Sequence, residues 1–210
     1  AEEIDKIAYE SGIDSIYAYK DITAEEKQAE TELATLFKGP INYCFGSTLY
    51  HVNDLSFDYQ DTPKVFTAFR KLVEKKSSVR STFPAPAKVN TQKTIPVGHL
   101  PELSALGLSA QPIDERSVID FKGGEDAALG RLQHYFFETE ELSYYKQKRN
   151  GLIGADYSSK LSLWLWNGCI SPRQIYWEVK RYEKEVKSNQ ATYWLIFELI
   201  WRDYFKFISL

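Results

Sequence analysis

The sequence has 210 residues, 43% of them hydrophobic, and a formal net charge of −3, so it is long enough to bury a core and too weakly charged to be a strongly basic domain. Its longest apolar stretch, Trp194–Trp201, is interrupted by Glu198 and falls far short of the roughly 20 residues of a membrane span, which excludes a membrane-spanning helix. These properties are typical of a soluble globular protein.

The first third of the chain alternates helical and strand-like patterns. We predict a helix end over 4–11 closed at Gly12, a strand over 13–19, a helix over 23–37, and a second short buried strand over 41–45. Thr23 is the predicted cap of the second helix, with Glu26 at the capping-box position. This order predicts parallel strands joined by crossover helices. The first residues already have a helical pattern, so we expect an internal portion of a longer protein whose other strands lie outside it.

Three regions follow from these patterns. We expect residues 1–76, which end in an amphipathic helix over 63–75, to be part of an α/β domain. Residues 77–118 hold most of the prolines and predict a connection between domains. Residues 119–210 are helical in pattern throughout and predict an all-helical region. Its helices are predicted over 126–137, 142–148, 161–167, 172–187 and 191–210.

The cysteines and histidines form no ligand pattern. Cys44 and Cys169 stand in unrelated apolar contexts, without the spacing of a disulfide framework or a zinc site. The three histidines are scattered along the chain. We therefore expect no metal and a reducing, cytoplasmic location, with an organelle left open, since no signal peptide is visible.

The run DYSSKLS, residues 156–162, places hydroxyl side chains before a helical pattern. Ser158 or Ser159 can cap that helix, and the same hydroxyls with free backbone amides can bind a phosphate. A plain helix cap is the alternative interpretation. Basic side chains outnumber acidic ones around this run. This excess indicates either a binding site for a polyanion or simply a basic face exposed to solvent. The basic residues are Lys146, Lys148, Arg149, Lys160 and Arg173, against Asp156 alone.

The last helical pattern places a carboxylate among aromatic residues. Its members recur at spacings of three and four and therefore share one face: Trp194, Glu198, Trp201, Arg202 and Phe205. A buried Glu198 without a partner would cost several kcal/mol, about 3 or more, so it is either paired, with Arg202 one turn on, or faces a wet cavity. In the second case Trp201 stacks on a planar ligand and Glu198 hydrogen-bonds the edge of that ligand, which is how proteins recognise flipped bases. We expect Trp164 and Trp166, in the predicted helix over 161–167, to belong to the core.

These motifs together resemble the photolyase and cryptochrome family, and within it the DASH type. The resemblance rests on RNGLIGADYSSKLSLWLWNGCISPRQIY, on TYWLIFELIWRDYFKF, on GSTLYH and on FKGGEDAALGRLQHYF, in the family's order. It implies an N-terminal doubly wound α/β domain, a long linker and a helical domain that binds FAD, of which residues 119–210 are the first part. Leu163, Trp166 and Asn167 depart from the family's usual residues, which implies different packing behind the phosphate site.

The resemblance also implies roles for single residues. Tyr145 corresponds to a flavin contact, and Arg149 to a DNA contact. The cofactor phosphate run corresponds to Ser158, Ser159, Lys160, Leu161 and Ser162. The lesion-facing helix corresponds to Glu198 and Trp201 as catalytic residues, with Arg202 and Phe205 beside them as further DNA contacts.

The implied function is light-driven repair of DNA. In this family the excited reduced flavin donates an electron to a flipped cyclobutane pyrimidine dimer, preferably in single-stranded DNA for DASH members, and many members bind a folate antenna, methenyltetrahydrofolate. We expect a monomeric parent protein, and an isolated 210-residue portion without activity and with weak or absent flavin. The alternative is a blue-light photoreceptor, or a nucleic-acid-binding cryptochrome, that does not repair.

Overall fold

The computed structural model describes residues 1–90 and 98–209. Its N-terminal part is built around two parallel strands, β1 (Ile16–Tyr19) and β2 (Ile41–Cys44), with Ile16 opposite Ile41. Helix α1 (Glu2–Glu10) precedes β1, and helix α2 (Ala24–Leu36) crosses over between the strands. The predicted α/β arrangement with a crossover helix is confirmed, and so is the fold class of an α/β part followed by helices.

Two local predictions in this part are wrong. Thr23 is the N-cap of α2, but its side chain makes no capping hydrogen bond, so the predicted capping box with Glu26 does not form. Strand β2 is not buried as predicted, because Asn42 and Cys44 are exposed and the strand alternates between half-buried and exposed residues. The reason is that only one face packs on a small apolar cluster. That cluster contains Ala8, Leu33 and Phe37, with Ile16 and Ile41 against them.

The remaining helices follow the predicted order. They are α3 (Phe66–Lys76), α4 (Glu125–Gln133), α5 (Tyr145–Lys148), α6 (Ser162–Trp166), α7 (Pro172–Glu185) and α8 (Gln190–Ile208). Helix α4 continues into a π-helical turn over His134–Glu138, and a 3-10 turn over Glu141–Tyr144 leads into α5. These helices, with Leu49 and Tyr50 from the loop after β2, share one large apolar core.

Helix α8 is the central element of that core. A capping box at Asn189 and Thr192 begins it, because the Asn189 side chain accepts hydrogen bonds from the backbone N–H groups of Ala191 and Thr192. The helix packs against α3, α5 and α7. Its position lets it carry side chains toward several neighbouring elements at once.

Residues 83–122 form a separate unit, whereas residues 1–82 and 123–210 form one compact unit together. The separate unit contains a 3-10 turn over Leu103–Leu106 that ends at Gly107, whose φ of +71° suits glycine. The predicted linker over 77–118 overlaps this unit, and its residues 91–97 lie outside the described residues. Among the described residues, none of the helices is long and apolar enough to cross a bilayer.

Candidate functional site

An ion pair joins the end of α5 to the middle of α8. Arg149 Nη1 lies 2.8 Å from Glu198 Oε1, and about 30% of each side chain is exposed. The predicted ion pair between Glu198 and Arg202, which helical spacing suggested, is therefore wrong, because Glu198 pairs with Arg149 from a different helix. The charge of Glu198 is thus paired while its carboxylate stays open to solvent on one side.

Tyr145 lies one helical turn before Arg149. Its side chain is buried, and burial raises the pKa of its hydroxyl to about 12, with the nearby Glu198 carboxylate acting in the same direction. The structure therefore brings together Tyr145, Arg149 and Glu198, which the sequence analysis selected from two separate motifs.

Trp194 completes this cluster and is not among the predicted site residues. Its ring faces two cations, with Lys146 Nζ 4.4 Å and the Arg149 guanidinium carbon 5.8 Å from the ring centroid. It also stacks on Phe197 at 4.7 Å between centroids. The signal that could have found it is its place one turn before Glu198 on the same helix face.

Trp201 and Phe205 occupy the next turns of α8. The indole of Trp201 stacks on Phe66, with 3.5 Å between centroids and 8° between planes, and on Phe205 at 5.5 Å and 24°. Phe66 is buried, whereas 58% of Phe205 is exposed. Trp201 therefore has one face covered by α3 and sits beside an exposed aromatic ring.

The Arg202 side chain does not join Glu198. Its Nη1 donates a hydrogen bond to the backbone carbonyl of Ser47, in the loop after β2, and Lys206 Nζ donates to the hydroxyl of the same serine. Burial lowers the pKa of both cationic groups. Arg202, predicted as a DNA contact, is thus engaged with this loop.

Asp203 is a buried acid that the sequence analysis missed. Its Oδ1 and Oδ2 accept hydrogen bonds from the backbone N–H groups of Leu49 and Tyr50, at 2.9 and 2.8 Å. Its side chain is fully buried, and this burial raises the pKa of the carboxyl group to about 7, although both hydrogen bonds act to lower it. The available signal was an aspartate among the aromatic residues Trp201, Tyr204 and Phe205 of this helix, since a carboxylate buried there requires internal partners.

The predicted phosphate run leads into α6, whose first residue is Ser162, but its serines do not cap this helix. The N-cap is Leu161, without a side-chain hydrogen bond, so the prediction that Ser158 or Ser159 caps the helix is wrong. The cause is Lys160, whose φ of +60° interrupts the run before the helix begins. Ser159 is buried, Ser162 is exposed, and Lys160 Nζ lies 3.6 Å from the Tyr157 ring centroid.

The tryptophans of α6 face opposite sides. Trp164 is buried as expected, but 85% of Trp166 is exposed, so its assignment to the core is wrong. Residues two apart on a helix are separated by about 200° and cannot share one face. Among the described residues, no group of three or more His, Cys, Asp or Glu side chains is arranged to hold a metal ion.

Known proteins are similar to this chain along most of its length. A family model described as DNA photolyase matches residues 1–88. The chain is 43% identical to a Cryptochrome DASH of Gloeobacter violaceus, over 99% of this chain and 42% of that protein. It is 44% identical to a Solanum lycopersicum protein named Cryptochrome DASH, chloroplastic/mitochondrial, over 93% of this chain and 37% of the relative. The chain thus spans about two fifths of the length of these curated relatives.

Two solved structures are also similar to this chain. The crystal structure of a Synechocystis cryptochrome matches with a TM-score of 0.92 and 45% identity, over 99% of this chain and 44% of that one. A class III photolyase from Agrobacterium tumefaciens matches with a TM-score of 0.75 at 20% identity, over 99% of this chain and 43% of that one, and shares the fold. The chain belongs to the photolyase and cryptochrome family and is similar to DASH-type members of it over nearly its whole length.

Proposed function

We propose that the protein carrying this chain is a light-driven, FAD-dependent photolyase that splits cyclobutane pyrimidine dimers, preferably in single-stranded DNA. The observation that carries the proposal is the Arg149–Glu198 ion pair beside buried Tyr145. This cluster thereby contains Tyr145, which is proposed to contact flavin, Arg149, which is proposed to contact DNA, and Glu198, which is proposed to contact the lesion. A monomeric protein and a folate antenna are further parts of this proposal.

The residues present suit a flavin nucleotide. In the part of the chain that the structure describes, the hydroxyls of Ser158, Ser159 and Ser162 make no hydrogen bond, so they are free to donate to phosphate oxygens. Lys160 stands between them and supplies a positive charge. We propose that Leu161, which is buried, anchors this run and that Tyr145 forms an apolar wall. When bound, reduced flavin would supply an electron after absorbing light.

Glu198 and Arg149 have separate proposed tasks toward the lesion. The partly exposed Glu198 carboxylate can accept hydrogen bonds from the N–H edges of a flipped dimer and so orient it and stabilise the reduced state. Arg149 can exchange part of its contact with Glu198 for a DNA phosphate. The ion pair then holds both side chains in place before DNA binds.

Trp201 is proposed to present a planar aromatic surface to the dimer. Its stacking on Phe66 fixes the plane of the indole, and the exposed Phe205 extends the aromatic surface toward solvent. Arg202 contributes through the Ser47 loop and through its positive charge near the DNA backbone. Base stacking of this kind is typically worth about 1–3 kcal/mol for each base.

The test uses the full-length protein with bound flavin and a single-stranded oligonucleotide that contains one dimer. Under blue light the unsubstituted protein is expected to restore the intact pyrimidines, and Glu198→Ala is expected to lower the yield strongly without loss of flavin. The matched control is Glu178→Ala on α7, since Glu178 is also a partly exposed glutamate paired with an arginine, and this variant is expected to repair normally. Intact repair by Glu198→Ala would remove the role given to this residue, and flavin photoreduction with DNA binding but no repair would support the photoreceptor instead.

A further inference from the structure

Arg131 on α4 is buried against the segment formed by residues 155–160. Only 8% of its side chain is exposed. Its Nε donates to the Ser159 carbonyl at 3.0 Å, its Nη2 donates to the Ala155 and Ser158 carbonyls at 3.0 Å each, and its Nη1 lies 2.6 Å from Asp156 Oδ1. One guanidinium therefore determines the orientation of three peptide units.

These three bonds fix where the amide groups of the segment point. In a planar trans peptide the C=O and N–H bonds point in opposite directions. Because the carbonyls of residues 155, 158 and 159 face Arg131, the N–H groups of Asp156, Ser159 and Lys160 point away from it. Among the described residues, these N–H groups make no hydrogen bond. Outward amides without partners are the groups that bind phosphate oxygens in backbone anion sites.

The segment also requires external support. Lys160 has a φ of +60°, which costs a residue with a side chain about 1 kcal/mol or more, and the peptide just before it is the one whose carbonyl Arg131 holds. Gly154, just before the segment, has a φ of +84°, which glycine adopts without strain because it has no side chain. The bend at Lys160 is thus stabilised from the buried side.

We propose that Arg131 is a positioning residue for phosphate binding, which turns the carbonyls of residues 155, 158 and 159 inward and the N–H groups of residues 156, 159 and 160 outward. This inference rests on the proposed flavin function. Arg131 acts by geometry and not by its charge, because Asp156 neutralises that charge at 2.6 Å. Burial acts to raise the pKa of the Asp156 carboxyl, but the hydrogen bond and charge of Arg131 and the nearby His134 outweigh it and lower that pKa.

Arg131→Lys separates geometry from charge. Lysine keeps the positive charge but lacks the planar fork that reaches three carbonyls and a carboxylate together. The control is Arg181→Lys on α7, where the arginine pairs with Glu178 and Glu185 at the surface and is far from the segment in sequence. Both variants are made in the full-length protein, freed of its flavin.

The measurement is the dissociation constant for FAD and for riboflavin, which lacks the phosphates. Arg131→Lys is expected to weaken FAD binding at least about tenfold, equivalent to about 1.4 kcal/mol, while riboflavin binding changes much less. Arg181→Lys is expected to leave both unchanged. Unchanged FAD binding by Arg131→Lys, or an equal loss for both ligands, would overturn the inference.

A second variant keeps the inference testable if Arg131→Lys fails to fold. Asp156→Asn retains an acceptor for Nη1 and leaves the three carbonyl bonds in place, so FAD affinity is expected to stay close to that of the unsubstituted protein. A tenfold loss would instead assign the effect to the ion pair and overturn the geometric role. If the unsubstituted protein binds FAD no more tightly than riboflavin, the proposed phosphate site is itself contradicted. That outcome is distinguishable from a failure of the role given to Arg131, because it is measured without any substitution.

Discussion

The indole of Trp201 and the ring of Phe66 stack face to face, with 3.5 Å between their centroids and 8° between their planes. Phe66 begins α3 and is buried, so this contact attaches the proposed lesion-facing surface of α8 to a neighbouring helix. The orientation of Trp201 therefore depends on a residue that the sequence analysis did not select.

Removing the Phe66 ring is expected to destabilise the protein. Phe66→Ala should lower the free energy of unfolding by about 3–5 kcal/mol, because it leaves a cavity beside Trp201, Phe197 and Tyr204. Phe205→Ala removes the other ring that stacks on Trp201, but from an exposed position, and should cost about 1 kcal/mol or less. Denaturant titration of both variants tests this, and equal losses would contradict it.

Asp203 is expected to be a major stabilising contact of the loop after β2. Asp203→Asn leaves one acceptor oxygen for two backbone donors and turns its NH₂ group toward the other donor, so it should cost about 1–3 kcal/mol or more. Asp61→Asn, at an exposed position, is the matched control and should change stability by less than about 0.5 kcal/mol. A loss no larger than that of the control would show that the two amides do not need the carboxylate.

The raised pKa of Asp203 predicts a dependence of stability on pH. Its carboxyl pKa is about 7 in the folded protein and 3.8 in the unfolded chain, so between these values the folded protein binds more protons. The contribution of Asp203 to the free energy of unfolding is therefore full below about pH 4 and decreases as the pH rises toward 7. The difference in stability between the unsubstituted protein and Asp203→Asn should be larger at pH 5 than at pH 8. An equal difference at both values would place the folded pKa near its ordinary value.

The fold was predictable where local patterns decide it. Helical periodicity over 191–210 located α8 to within two residues, and the alternation of helix and strand predicted the parallel pair β1 and β2. The local prediction failed at Ser158 and Ser159, because a positive φ at Lys160 cannot be seen in a hydrophobic pattern. Helix caps depend on the backbone path as well as on residue type.

The candidate site was predictable in its members but not in its contacts. Tyr145, Arg149 and Glu198 were each selected, yet the Arg149–Glu198 pair spans 49 positions, beyond the reach of helical spacing. The bonds of Asp203 to Leu49 and Tyr50 span more than 150 positions. Such partners are set by how helices pack, which periodicity alone does not specify.

The Arg149–Glu198 pair is expected to matter more for function than for stability. About 30% of each side chain is exposed, and pairs of this kind contribute about 1 kcal/mol or less to folding. A double-mutant cycle of Arg149→Ala and Glu198→Ala should therefore give a coupling energy in unfolding of about 0.2–1 kcal/mol. Arg149→Lys is the conservative control and should keep most of that coupling.

The same cycle should behave differently when DNA binding is measured with the full-length protein. Arg149→Ala should weaken binding to single-stranded DNA and reduce its salt dependence, because a phosphate contact is lost, whereas Glu198→Ala should leave the salt dependence unchanged. One result would contradict this expectation: a coupling energy in unfolding well above about 1 kcal/mol together with an unchanged salt dependence for Arg149→Ala. The pair would then be a structural contact between α5 and α8 and not part of a DNA site.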